Sequence, residues 1–98
     1  MRWGWCSIAV AALIAGPAQA NSTLEEIDRQ CNLQLPLSEK GCQCIVDQAR
    51  DNLSLEQQKM LVAKVTRNQA AERALNLSAD EMQEVIVFIR TTPDACGP

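Results

Sequence analysis

The sequence predicts an all-α fold, a small disulfide-stapled bundle of about four helices behind an N-terminal signal peptide. Three observations carry that expectation. Residues 1–20 read as an export leader, four cysteines follow it, and the apolar residues after it recur at helical spacing.

The leader begins with Met1 and Arg2, a short positive start, and continues into a mostly apolar run from Trp3 to Ala15. Gly16 and Pro17 break the run, and Ala18-Gln19-Ala20 supplies a small-residue cleavage site, so cleavage is expected between Ala20 and Asn21. The run is shorter than the about 20 apolar residues that span a bilayer, so no stable membrane insertion is expected after cleavage. Cys6 goes with the leader. Its neighbours Trp3-Gly4-Trp5 are not the small-residue context of a lipid-modified cysteine. The expected organisation is therefore a signal peptide over 1–20 and one mature helical domain over 21–98.

The whole chain carries a net charge of −3, and Arg2 is the leader's only charged side chain, so the mature part is more acidic by one unit. An acidic surface argues against nucleic acid and anionic lipid as partners. Phe88 is the only aromatic residue after the leader, so the core must be aliphatic. A single core of this size seldom supplies more than about 3–5 kcal/mol, and covalent staples are expected to make up the shortfall.

The first helix is expected over about Thr23–Asn32. Ser22 and Glu25 have capping-box spacing, and Leu24, Ile27 and Cys31 share one face. Pro36 ends it, because proline lacks the amide that a helix interior needs. Ser38 then caps a second helix running to about Asn52, with Cys42, Ile45, Val46, Ala49 and Leu53 as its apolar stripe and Gly41 as a weak spot near its start. Ser54 and Gln57 open a third helix whose inward face is Leu61, Val62 and Val65. It either stops near Asn68 or bends and continues to Leu75 through an alanine-rich stretch. Ser78 and Glu81 open the fourth. Met82, Val85, Ile86 and Ile89 are expected to face inward, and Pro93 is expected to end the helix near Thr91. Asn52-Leu53-Ser54 and Asn76-Leu77-Ser78 look like a repeat, but a leucine before a capping serine is a staple position and explains both.

Cys31, Cys42, Cys44 and Cys96 form an even set in a short exported chain, which reads as a disulfide framework. In an antiparallel hairpin of the first two helices, Cys31 and Cys42 both lie on apolar stripes near the turn. That favours Cys31 with Cys42 and leaves Cys44 with Cys96. Cys44 points about 200° away from Cys42 around the helix, towards the C-terminal tail. Cys31 with Cys44 and Cys42 with Cys96 is the second option. A Cys42–Cys44 bond would strain the helix.

The sequence offers little for catalysis. There is no histidine and no tyrosine, which removes Ser-His-Asp and Cys-His chemistry and most zinc chemistry. The carboxylates Glu25, Glu26, Glu39, Glu56, Asp80 and Glu81 fall in first helical turns, where they complement the helix dipole. The cysteine spacing matches no zinc pattern, and Met60 and Met82 sit at helical positions suited to packing. No catalytic residue, metal or cofactor is expected.

The fourth helix is more apolar than one buried stripe requires, because Val87 and Phe88 fall outside the expected inward face. Together these readings describe a small exported, non-enzymatic helical structural or interaction protein. It would bind an unidentified protein or apolar ligand through a surface near Val87 and Phe88. The alternative is a thiol redox or metal-handling protein using Cys42-Gln43-Cys44, near a helix N-terminus that lowers thiol pKa. The periplasm is the expected location, with release outside the cell as the alternative.

Overall fold

The computed structural model describes residues 21–97. The signal peptide, its Cys6 and Ala20 of the expected cleavage site lie outside the described residues. The described chain is all-helical, with two disulfides and no strand among the described residues.

Among the described residues five helices follow one another: α1 over 21–34, α2 Glu39–Asn52, α3 Leu55–Val65, α4 Gln69–Ala74 and α5 Ala79–Cys96. α5 packs against both α2 and α3, and α4 packs against α3. The core between them is aliphatic apart from Phe88. It takes Ile27 and Cys31 from α1, Cys42, Ile45, Val46 and Ala49 from α2, and Met60, Leu61 and Ala63 from α3. α5 adds Val85 and Phe88. α4 adds no buried residue, which makes it a surface element.

Three serine caps form where the sequence predicts them. The Ser38 hydroxyl accepts from the Gly41 N–H, while Ser54 with Gln57 and Ser78 with Glu81 make complete capping boxes. Each box satisfies two backbone donors that a helix start otherwise leaves unpaired. The box predicted at Ser22 does not open α1. Asn21, Ser22 and Thr23 are already helical, whereas a cap needs an extended backbone.

α3 stops at Val65, settling the choice left open between Asn68 and Leu75. Arg67 adopts the left-handed conformation at φ 58°. Its N–H donates to Lys64 O at 3.1 Å, and the Asn68 N–H donates to Ala63 O at 2.8 Å. That is the Schellman pattern, here with arginine in place of the usual glycine. The Asn68 side chain then accepts from the Ala71 N–H at 3.1 Å and starts α4.

The expectation that Pro93 ends the last helix near Thr91 is incorrect. α5 continues through Pro93 to Cys96. A proline removes one hydrogen bond and strains the turn before it. The turn beyond it is secured instead by the Cys44–Cys96 bond and by the Gly97 N–H, which donates to Pro93 O at 2.8 Å. Gly97 is needed there, because a Cβ would come within 2.7 Å of Leu37 Cδ2 and 2.8 Å of Pro93 O.

Two buried glutamines join the helices. Gln57 Oε1 accepts from the Ser54 N–H at 2.9 Å. Its Nε2 donates to Glu81 O at 3.1 Å and to Glu84 Oε1 at 2.6 Å, clasping the starts of α3 and α5 together. Gln58 Nε2 donates to Leu53 O at 3.1 Å and so reaches back to the end of α2. Gln57 is bonded through both its oxygen and its nitrogen, whereas Gln58 is bonded through Nε2 and its buried Oε1 has no partner.

Candidate functional site: an apolar cleft beside a glutamine rail

Where α1, α2, α3 and α5 converge they leave a half-open cleft of about 110 Å³. Ile27 and Cys31 on α1 and Ile45 on α2 line its inner side. Leu61 and Val65 line it from α3, and Phe88, Ile89 and Pro93 from α5. The spacing 27, 31, 34 keeps one face of α1 turned to the cleft over two turns. Pro93 belongs to this wall only because α5 continues past it.

Polar groups run along one edge. Arg29 and Gln30 both donate to the Glu26 carboxylate, with Gln30 Nε2 at 2.9 Å from Oε2. Gln34 Nε2 donates to Gln30 Oε1 at 2.6 Å and crosses to α3 by donating to Val65 O at 3.0 Å. The order Glu26, Gln30, Gln34 follows helical i, i+4 spacing, which places these side chains in one row. The Arg29 hydrogen bond, followed by that of Gln30, holds the Glu26 carboxyl below the usual carboxylate range. A primary amide has two N–H donors and a carbonyl with two lone pairs. Gln30 uses one donor and accepts one bond, which leaves it capacity for a further partner at the cleft edge.

The surface expected from Val87 and Phe88 divides. Val87 is exposed at 44%, but Phe88 is buried at 8% and forms part of the cleft wall. Val85 and Phe88, three residues apart, make the buried face of α5, while Met82, Ile86 and Ile89 are only half-buried. The expected inward stripe is therefore rotated towards Phe88. The physical reason is size, since burying the Phe88 ring removes more apolar surface from water than burying any of its neighbours. Val87 lies about 160° around the helix from Val85 and faces solvent.

The structure bonds Cys31 to Cys42 and Cys44 to Cys96, the pairing that the hairpin argument favours. Each sulfur of Cys42-Gln43-Cys44 is thus joined to a different distant cysteine. Cys31 and Cys42 are buried at 4% and 0% exposure, while Cys44 and Cys96 are half-buried. Among the described residues no group of three or more Cys, Asp or Glu converges as a metal site would require. No described helix is long and apolar enough to cross a membrane. Two disulfides in so short a chain fit an oxidising compartment.

No protein-family model, curated protein or solved structure matches this chain.

The cleft's key residues escaped the sequence reading. The sequence does not mark Gln30 or Gln34, presents Pro93 only as a helix stop, and places Leu61, Val65 and Ile89 on inward helix faces. The one available signal was the Glu-Gln-Gln row at i, i+4 spacing beside an apolar face.

Proposed function

We propose that this chain is an exported, non-catalytic interaction protein of the periplasm. It anchors one aliphatic side chain of a protein partner in the cleft between α1, α2, α3 and α5. The observation that carries this reading is the size and lining of the cleft. Small-molecule sites run to about 300–1,000 Å³, and a dry apolar cavity of about 150 Å³ takes one benzene. The cleft here is about 110 Å³ and almost wholly apolar, which suits a leucine, isoleucine or methionine side chain. A side chain arrives attached to a backbone with its own N–H and C=O groups, and Gln30 at the edge has spare capacity to bond them. The net charge of −3 further disfavours a polyanionic partner.

Titration of the oxidised protein with N-acetyl-leucinamide and N-acetyl-aspartic acid amide tests this reading. Leucinamide binds at about millimolar strength, the range expected for so small a ligand. It binds at least tenfold more tightly than the aspartate compound. Val65→Phe, which fills the cleft, abolishes the difference. Equal binding of both compounds, or no effect of Val65→Phe, contradicts the reading.

A further inference from the structure

The two disulfides differ in position in a way that bears on the cleft. Cys31–Cys42 lies in the core, with both residues fully buried. Cys44–Cys96 is half-buried and closes a loop whose ends are 52 residues apart. It ties down the last turn of α5, the turn that follows Pro93. Pro93 has no N–H, so helical hydrogen bonding is interrupted where that turn begins. Besides the helical bonds that remain around Pro93 and the packing of Cys96 on the core, the turn is held by the Gly97–Pro93 hydrogen bond and by the close approach of Leu37 to Gly97. Asp94 and Ala95 are exposed. Pro93, at the root of the turn, is a wall of the cleft.

We infer that the Cys44–Cys96 disulfide is a redox-sensitive strap that keeps the cleft competent to bind, and that its reduction releases the occupant. This rests on the cleft being the binding site. The co-reactant is a dithiol reductant. One of its thiolates attacks a sulfur of the pair, forming a mixed disulfide and expelling the other protein sulfur as a thiolate. Its second thiol then displaces the remaining protein sulfur. The reductant leaves as a disulfide, and the protein gains two electrons and two protons as the thiols of Cys44 and Cys96. Access decides the order, because thiol–disulfide exchange needs an approach to sulfur, and Cys31 and Cys42, at 4% and 0% exposure, offer less of it than half-buried Cys44 and Cys96, although Cys31 lines the cleft. Freed from Cys44, the turn after Pro93 frays, the Pro93 wall moves away and the cleft loses part of its contact with an occupant.

Graded reduction with dithiothreitol, followed by alkylation and peptide mapping, reads the order. Cys44 and Cys96 are labelled at least tenfold faster than Cys31 and Cys42. Far-UV circular dichroism and hydrogen exchange on the singly reduced protein then read its consequence. Most helicity is retained, amides 94–97 lose protection, and those of α2 do not. N-acetyl-leucinamide binds at least fivefold more weakly than to the oxidised protein. Simultaneous reduction of both bonds, earlier reduction of Cys31–Cys42, or global loss of helicity overturns the proposal. So does unchanged protection at 94–97. Equal leucinamide binding in both forms removes the strap and leaves the cleft reading intact. No binding to the oxidised protein removes both.

Discussion

At its start α5 is held by hydrogen bonds, and at its end it is held by a covalent bond. The Ser78–Glu81 capping box fixes the first turn, and Gln57 reaches across from α3 to Glu81 O and Glu84. The last turn follows a proline, has no basic residue to offset the helix dipole, and is joined to α2 through Cys44–Cys96. The difference teaches where a small bundle needs a staple. Where local sequence can satisfy the backbone, hydrogen bonds suffice. Where proline removes one, the chain uses a disulfide, and the cleft forms at that end.

The largest break in this comparison comes from its shared middle. Phe88→Ala empties the space between both ends and costs about 3–5 kcal/mol, which removes cooperative unfolding in a urea titration. Replacing both Cys44 and Cys96 by serine acts on the C-terminal end. In the chain-entropy model this bond contributes at most about 4 kcal/mol, so the urea midpoint falls while α5 keeps its capped start. Ser78→Ala acts on the opposite end and costs about 1 kcal/mol. Its effect on hydrogen exchange is confined to the first turn of α5. A loss of protection at residues 94–97 in that variant would show that the two ends are not held independently.

Much of this arrangement is legible locally. The caps at Ser54 and Ser78 follow from residue type and a three-residue offset, and that at Ser38 from residue type after Pro36, although the same offset at Ser22 and Glu25 does not open a helix. What is not legible depends on other parts of the chain. Arg67 occupies a left-handed position that glycine usually fills, so nothing in its identity announces the end of α3. Pro93 reads as a stop because the bond securing the following turn comes from Cys44, far away in sequence. Phe88 reads as a surplus because helical spacing alone does not say which way a helix with apolar residues on several sides will turn. The cleft is the hardest case. It is space left between four helices, and no single segment encodes it.

Two smaller effects sharpen the picture. Arg67→Gly relieves the left-handed strain and adds about 0.5–1 kcal/mol, visible as a raised urea midpoint with an unchanged slope. Bonded to the cleft-lining Gln30, Glu26 has a folded-state pKa below its unfolded value. Its contribution is therefore present above the unfolded pKa and lost as pH falls through the folded one. A carboxyl-carbon NMR titration places the Glu26 midpoint below that of an unperturbed glutamate, and Arg29→Ala moves it back up.

The most direct test is where an aliphatic side chain sits. Isotope-filtered nuclear Overhauser spectra of the oxidised protein with N-acetyl-leucinamide will show contacts from the leucine methyls to the Phe88 ring and to the Leu61 and Ile89 methyls. Contacts only to Val87 on α5 or Leu33 on α1, the two large apolar side chains exposed among the described residues, or none with the protein at all, would contradict the account.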